Sequence, residues 1–505
     1  MLDKYLKMIL NARVYDVAKE TPLEYAGMLS ARLNNKVWLK REDLQPVHSF
    51  KLRGAYNKIA QLSEQDCKNG IIAASAGNHA QGVALAARKR KVKALIVMPR
   101  TTPDIKVSSV RAYGARTILH GDTYDEACTH ALQIADERKM TFIHPYDDPA
   151  VIAGQGTIGM EILRQHEGHL DAVFVPVGGG GLIAGVGAYI KKVRPGVKVI
   201  GVEPEDAPCM YEALKRKRRI KLKQVGIFAD GVAVRQAGKE TYKLARECVD
   251  EMILVSTDEI CAAIKDIFDD SRAIVEPAGA LALAGLKRYV QDNALEDAAL
   301  VAINSGANVN FDRLRHVAER AELGERREAL LAVTIPERPG SFRKFCQTIG
   351  QRGITEFNYR YSGVSEAYVF AGVQLQNGDE ERSEIMTSLQ DQGYSVVDMT
   401  DNEMAKMHVR YMVGGKSPES LQDEVLYRFE FPERPGALLR FLTRIGKRWN
   451  ISLFHYRNQG SAYGRVLVGI QVPGGDEKPL REFLSGLGYS YWSEKDNPAY
   501  HLFLG

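Results

Sequence analysis

Up to about Asn310, short unbroken apolar runs alternate with stretches whose apolar positions recur at helical spacing. The runs are Gly70–Ala74, Val92–Met98, Arg116–His120, Ala172–Val177, Val197–Glu203 and Leu300–Asn304. Helical patterns fill Ala80–Lys91 and Thr123–Lys139. Strands rich in Val and Ile that do not alternate with polar residues are buried on both faces. That predicts an α/β fold, a parallel sheet covered by helices. Ligands of such sheets bind beyond the carboxyl ends of the strands, so chemistry is expected in the loops that follow these runs.

The pattern then changes. Phe311 to Arg327 is highly charged and reads as a helix leading to a linker. Beyond it a repeat begins. Pro-Glu-Arg-Pro-Gly starts at 336 and again at 432, 96 residues on. Asn358-Tyr359-Arg360 aligns with His455-Tyr456-Arg457, and Ala367–Leu375 with Gly464–Val472. Each copy reads strand, helix, strand, strand, helix, the order of a small α+β unit with an antiparallel sheet. A duplicated unit hung on a chain of catalytic size predicts a regulatory or assembly role, with two plain packing modules equally open.

Composition narrows the class. A chain of 505 residues has room for about three domains. The apolar share of 45% and charged share of 26% are ordinary globular proportions and exclude a disordered chain. The net charge of +5 is close to neutral for this length. The densest basic stretch, Lys215–Lys223, reads as a solvated helix face or turn, so no nucleic-acid partner is expected. Six cysteines without CxxC spacing predict reduced thiols in a cytoplasmic protein, with neither a disulfide framework nor a zinc cluster. The N-terminus has no signal-peptide pattern. The uncharged run Ala172–Ile190 contains six glycines and Pro176, so it predicts strand, loop and helix and no membrane span.

Four segments are candidates for chemistry. Lys51 follows Ser49-Phe50 at the head of a helical run, where the positive helix end lowers its proton affinity. A lysine so placed can form a Schiff base with an aldehyde cofactor, although a lone lysine is usually a solvated surface group. Ser75-Ala76-Gly77-Asn78-His79 follows the run Gly70–Ala74 and opens a helix whose N–H groups suit a carboxylate. His79 reads equally as a base or as a structural residue. Gly178-Gly179-Gly180-Gly181-Leu182 lies between strand and helix, where four residues without Cβ let backbone N–H groups cradle a phosphate. It lacks the remaining parts of the dinucleotide and P-loop signatures. Asn304-Ser305-Gly306-Ala307-Asn308 offers a hydroxyl after an apolar strand, and alone it reads as an ordinary turn.

Together, Lys51 in SFKLRGA, SAGNHAQG, GGGGL and SGAN resemble the motifs of the fold type II pyridoxal-phosphate enzymes. KREDLQPVHSFKLRGAY resembles the lysine segment of the threonine dehydratases, and the C-terminal pair resembles the ACT-like units of their long, biosynthetic form. The resemblance implies a catalytic domain over residues 1–320 and ACT-like regulatory units over 329–402 and 424–497. It implies pyridoxal 5'-phosphate held by Lys51, with Phe50 flanking the ring and Asn78 at the ring hydroxyl. Gly178, Gly179, Gly180, Gly181 and Leu182 would hold the phosphate, and Ser305 would meet the pyridine nitrogen. The substrate carboxylate would lie on the N–H groups of Ser75, Ala76, Gly77, Asn78 and His79. The implied reaction turns L-threonine into 2-oxobutanoate and ammonia in a homotetramer, with Lys51 as the base.

Serine racemase, which shares these motifs, has an acid six positions beyond the Glu of the segment that reads Val202-Glu203-Pro204 here. That position is Cys209, so no metal site is expected. A serine-preferring dehydratase or racemase of the same fold stays open, as does an amino-acid sensor with an inactive enzyme domain. Intact Lys51, Asn78, glycine loop and Ser305 argue against the sensor.

The biosynthetic form implies inhibition by isoleucine, opposed by valine. Tyr359-Arg360 and Tyr456-Arg457 are the candidate effector contacts, because each pair ends a strand with an aromatic and a basic residue. Alternation along a strand sends one of each pair toward the helices and one away. Tyrosine offers apolar surface plus a hydroxyl, and arginine a carboxylate partner. Core tyrosines beside solvated arginines remain the plain alternative, and the repetition favours contact by one or both of Tyr359 and Tyr456.

Overall fold

The computed structural model describes residues 1–361, 365–412, 421, 423–432, 437–445, 449–457, 463–474, 476–500 and 504. The chain divides into two compact units, Met1–Gly324 and Glu325–Gly505.

The first unit holds ten strands: β1 Leu23–Tyr25, β2 Lys36–Arg41, β3 Ile71–Ala74, β4 Ala94–Met98, β5 Arg116–Leu119, β6 Thr141–Phe142, β7 Ala172–Pro176, β8 Lys198–Pro204, β9 Glu251–Val255 and β10 Ala299–Asn304. They form two sheets. One has the order β1-β2-β10-β7-β8-β9 and is parallel except for the β1–β2 pair, and the other, β5-β4-β3-β6, is parallel throughout.

Successive residues of one strand enter different cores. Ala172 and Phe174 join Ile200, Val202, Leu300 and Ala302 on one face of the larger sheet, while Val173 and Val175 join Val199, Val301 and Ile303 on the other. The smaller sheet sends Ile71, Ala73, Ile96 and Met98 one way and Ile72, Ala74, Leu95 and Val97 the other. This double burial is why the runs carry no polar alternation. Each such Val or Ile contributes about 1.5–3 kcal/mol.

Helix ends follow local chemistry. Thr123 caps the helix Tyr124–Glu137 by accepting from Glu126 N, and Glu126 returns the favour to Thr123 N at 2.9 Å. The run Ala172–Ile190 resolves into β7, the glycine loop and the helix Gly181–Val193. Among the described residues no helix is long and apolar enough to cross a membrane. The basic stretch begins as the helix Cys209–Lys215 ends, and Arg216 and Lys221 are paired with Glu212 and Asp125. The charged segment after Asn310 forms the helix Arg313–Gly324, which buries Val317 and Ala321 and pairs Arg320 with Asp258 within the first unit. Only Glu325 to Arg327 lie between it and the next strand.

The second unit contains β11 Glu328–Pro336, β12 Ile354–Arg360, β13 Glu366–Gln374, β14 Ser395–Asp398, β15 Glu424–Pro432, β16 Asn450–Arg457, β17 Tyr463–Gln471 and β18 Ser490–Ser493. Each copy runs strand, helix, strand, strand, helix, strand. The sequence pattern predicted two small sheets. Instead all eight strands form one antiparallel sheet of order β14-β11-β13-β12-β16-β17-β15-β18. The copies meet where β12 pairs with β16 about Asn358 and His455, so Phe357 faces Tyr456 and Tyr359 faces Phe454. A single core under the sheet draws Phe345, Phe357 and Tyr359 from one copy and Phe441, Phe454 and Tyr456 from the other. In the first Pro-Glu-Arg-Pro-Gly, Pro336 ends β11, and Gly340 at φ +90° precedes the helix Ser341–Ile349. The second copy's residues 433–436 lie outside the described residues.

Candidate active site

The candidate segments follow β2, β3, β7 and β10 at their carboxyl ends, and they converge. One pocket is lined by Phe50, Lys51, Asn78, Gly178, Gly179, Gly180, Gly181, Leu182 and Ser305, together with Tyr146, Gln155, Gly231, Glu276 and Ala278. Lys51 is the first residue of the helix Lys51–Ala60. Its Nζ lies 3.4 Å from Gly231 O and 5.8 Å from the centre of the Phe50 ring. Burial pushes the Lys51 ammonium down, with Glu276 and Asp230 opposing. Desolvation, more than the helix end invoked from sequence, is what favours the free amine.

Behind Lys51 lies a charge cluster that sequence reasoning left unused. Arg53 donates to Glu42 at 2.8 Å and to Glu161 at 2.6 Å, and Lys40 Nζ reaches Glu161 at 2.6 Å. All four side chains are fully buried. Two cations face two carboxylates, so the cluster is neutral as a whole. Burial alone would raise the Glu42 carboxyl, but Arg53 and Lys40 hold it below its ordinary value. The cluster ties the Lys51 helix to the helix Pro149–Gln165.

The glycine loop has no room for side chains. A Cβ on Gly179 would stand 2.3 Å from the Tyr146 ring, and Gly180 has φ +94°. The helix Gly181–Val193 starts there without a side-chain cap. Its first N–H groups therefore remain available for an anion. Asn78 opens the helix Asn78–Arg90; its Nδ2 donates to Glu276 at 2.6 Å, and its Oδ1 accepts from Asn308 at 2.7 Å. Ser305 Oγ donates to Ala278 O at 3.0 Å.

Not every candidate joins this pocket. Ser75, Ala76 and Gly77 form the half-buried turn before the Asn78 helix, outside the pocket lining, and Gly77 N donates to Ser75 Oγ at 3.2 Å. His79 Nε2 lies 2.9 Å from Ile143 O, and burial pushes the imidazole down to about 3. It is neutral near pH 7 and turned onto a backbone carbonyl. Glu203 accepts from Met210 N at 2.9 Å and Tyr211 N at 2.7 Å. Among the described residues no group of three or more His, Cys, Asp or Glu is arranged to hold a metal. Tyr146 and Glu276 went unrecognised in the sequence. Glu276 had a faint signal as the acid before Pro277 at a helix start, and Tyr146 had none.

In the second unit Tyr359 is 3% and Tyr456 1% exposed, both in the core under the sheet. Tyr359 donates to Glu337 at 2.6 Å, and its ring centre lies 4.6 Å from that of Phe342. The arginine beside it is not solvated, because Arg360 forms a buried pair with Glu424 at 2.6 Å. A cavity next to Phe342 is lined by Arg338, Gly340, Arg343, Leu442, Trp449, Asn450 and Ile451. Neither tyrosine lines it.

A lysine with a weakened hold on its proton, an uncapped helix start for a phosphate, an aromatic wall at Phe50 and a buried hydroxyl at Ser305 match the parts of pyridoxal phosphate. Fold and site define a class, the fold type II pyridoxal-phosphate-dependent enzymes, and the family model described as pyridoxal-phosphate dependent enzyme matches residues 14–306. The model described as the C-terminal regulatory domain of threonine dehydratase matches twice, at 319–409 and 415–504. The chain is 56% identical over 503 residues to the L-threonine dehydratase biosynthetic IlvA of Burkholderia multivorans, covering 99% of each chain. It is 55% identical over 502 residues to that of Escherichia coli, covering 99% of this chain and 97% of the other. Among solved structures, the processed form of threonine deaminase isoform 2 from Solanum lycopersicum matches with TM-score 0.62 and 51% identity, over 63% of this chain and 93% of that one. The chain belongs to the biosynthetic threonine dehydratases.

Proposed function

We propose that this protein dehydrates and deaminates L-threonine to 2-oxobutanoate and ammonia. The observation that carries the reading is the meeting of Lys51, the glycine cradle, Asn78 and Ser305 in one pocket of a threonine dehydratase chain. When bound, pyridoxal phosphate supplies the electron sink for a Cα carbanion. Lys51 Nζ would anchor it and would serve as the general base for the Cα proton. The N–H groups of Gly178 to Leu182 would hold its phosphate, Phe50 would pack on its ring and Asn78 would meet its ring hydroxyl. The turn from Ser75 to His79 orients the substrate carboxylate. Ser305 would present a hydroxyl, not a carboxylate, to the ring nitrogen, which would leave the sink weaker and favour elimination of the β-hydroxyl over transamination. The test compares L-threonine, L-serine and D-serine as substrates. L-Threonine is expected to give the highest kcat/KM and D-serine none. A preference for L-serine, or racemisation without ammonia release, would overturn the assignment.

The second unit is the regulatory half of this reading, two ACT-like units over 329–402 and 424–497 that bind isoleucine, with valine opposing it. The catalytic domain covers 1–320 with the remainder of the helix that ends at Gly324, and the assembly is a homotetramer in the cytoplasm. A chain cut after Gly324 keeps its own packed helix. Its kcat for L-threonine is expected within about threefold of the full chain, with isoleucine inhibition gone, because few buried contacts are lost at such a boundary. Inhibition retained by the folded shortened chain would remove the regulatory assignment.

Tyr359 and Tyr456 remain the proposed effector contacts. Tyr359 has the clearer support: its ring packs at 4.6 Å on Phe342, which lines the cavity, although Tyr359 does not. Arg338 and Arg343 there suit an effector carboxylate, and Leu442, Trp449 and Ile451 a branched side chain. Tyr359→Ala is expected to raise the isoleucine concentration for half inhibition by about tenfold, because Phe342 and Glu337 lose the partner that holds them beside the cavity. Dose–response curves that superimpose on wild type would place the effector elsewhere.

A further inference from the structure

One ionisable group in the pocket has no task in the reading above. Glu276 stands at the head of the helix Pro277–Asn293 and is 3% exposed, yet its side chain does not cap that helix. It turns into the pocket and accepts from Asn78 Nδ2. The polarity of that bond is dictated from a distance. Val47 O can only accept, so the Asn308 atom 2.8 Å from it is the amide nitrogen. The same nitrogen donates to Asn78, so the Asn78 atom it meets is Oδ1 and the far end of that amide is the donor. Glu276 Oε1 must therefore accept, and any proton the carboxyl carries sits on Oε2. Asn78 keeps one N–H for a ligand.

We propose that Glu276 is the positioning residue of this site: it locks Asn78 through Oε1, and its charge sets how firmly Lys51 holds a proton. The proposal rests on the reading that Lys51 anchors the cofactor and takes the Cα proton. Glu276 and Lys51 line the same pocket on either side of Gly231: Lys51 Nζ lies 3.4 Å from Gly231 O, and a Cβ on Gly231 would stand 3.4 Å from Glu276 Oε1. Asp230 and Lys106 are the other charges that act on Glu276, and His79 is neutral. Asp230 is paired with Lys106 at 2.7 Å, which leaves Lys51 and Glu276 as the poorly compensated pair. Burial pushes the Glu276 carboxyl up to about 7, Asp230 adds to the rise, and Asn78, Lys51 and Lys106 oppose it. An ionised Glu276 raises the proton affinity of Lys51 and makes it the stronger base. A neutral Glu276 leaves the amine less able to take the Cα proton. Activity is therefore gained as pH rises through the range where Glu276 ionises.

The experiment measures kcat/KM for L-threonine against pH in the holoenzyme, and cofactor affinity by titrating pyridoxal phosphate into protein from which it has been resolved. Glu276→Gln keeps an acceptor for Asn78 and loses the charge. Its cofactor affinity should stay within about twofold, while the gain in kcat/KM that follows Glu276 ionisation disappears from the acid limb and the plateau falls roughly tenfold. Glu276→Asp keeps the charge but is too short to hold Asn78. It should keep the acid limb in place and weaken cofactor binding about tenfold. Asn308→Ala should weaken cofactor binding by a similar factor and leave the acid limb unmoved. An acid limb of Glu276→Gln that superimposes on wild type, or unchanged cofactor affinity in both Glu276→Asp and Asn308→Ala, overturns the proposal. Failure of the underlying reading looks different: Lys51→Ala would still turn over, whatever the Glu276 variants did.

Discussion

Lys51→Ala will fold and will convert L-threonine at least ~10⁴-fold more slowly than wild type, because one amine both anchors the cofactor and moves the proton. No neighbour replaces it. The groups in reach of its Nζ are the Gly231 carbonyl, which cannot carry a proton, and the Phe50 ring. Glu276 can carry a proton on Oε2 but has no amine with which to anchor the cofactor. His79 is neutral and turned onto Ile143 O. Folding survives because Lys51 makes no ion pair with the helices behind it; Arg53, two residues on, holds them. The measurement is single-turnover formation of 2-oxobutanoate with far-UV circular dichroism as the control for fold. A visible absorbance band that borohydride fixes in wild type should be absent from the variant. Residual turnover above about one part in a thousand would remove Lys51 from the base role.

The second large effect is on stability. Glu161→Gln will destabilise the first unit by about 3–5 kcal/mol, since it leaves a buried positive charge without its partner. Arg53 keeps Glu42, but Lys40 keeps only Thr21 O and Gln165 as direct hydrogen-bond partners. Lys40→Met in the same chain restores neutrality and should recover at least half of the loss. Denaturant melts of the single and double variants check both numbers, and a double variant no better than Glu161→Gln would show that charge balance is not what the cluster supplies. The cluster also predicts acid sensitivity. Glu42 is held below its ordinary carboxylate value, so its contribution is complete above the unfolded value and is lost as pH falls through the lowered one.

The parallel sheets were legible because both faces of β3, β4, β7, β8 and β10 are buried, and burial on both faces writes an unbroken apolar run. β2 was not legible, although it lies beside β10 at the centre of the site. Lys36, Lys40 and Arg41 interrupt its apolar pattern, and Lys40 and Arg41 are buried because Glu161 and Glu24 meet them from elsewhere in the chain, with Asp43 adding a local partner for Arg41. The pocket followed the same division. Lys51, Asn78, the glycine loop and Ser305 each sit directly after a strand or open a helix, where local sequence announces a loop. Glu276 and Tyr146 owe their places to packing against Asn78 and Gly179, which no local pattern encodes. In the second unit the repeat was plain to read. That its copies fuse into one sheet was not, because the pairing of Asn358 with His455 is a relation between edges and leaves no mark on either strand alone.

That junction bears on how the regulatory half responds to dilution. A chain with a single copy would present the backbone of β12 as an open edge, and open edges recruit other strands. Its association would obey mass action and fail when protein is scarce. With both copies on one polypeptide, the partner edge is held at an effective concentration on the order of millimolar by the intervening chain. The sheet closes by a first-order step, and its integrity does not depend on how much enzyme the cell contains.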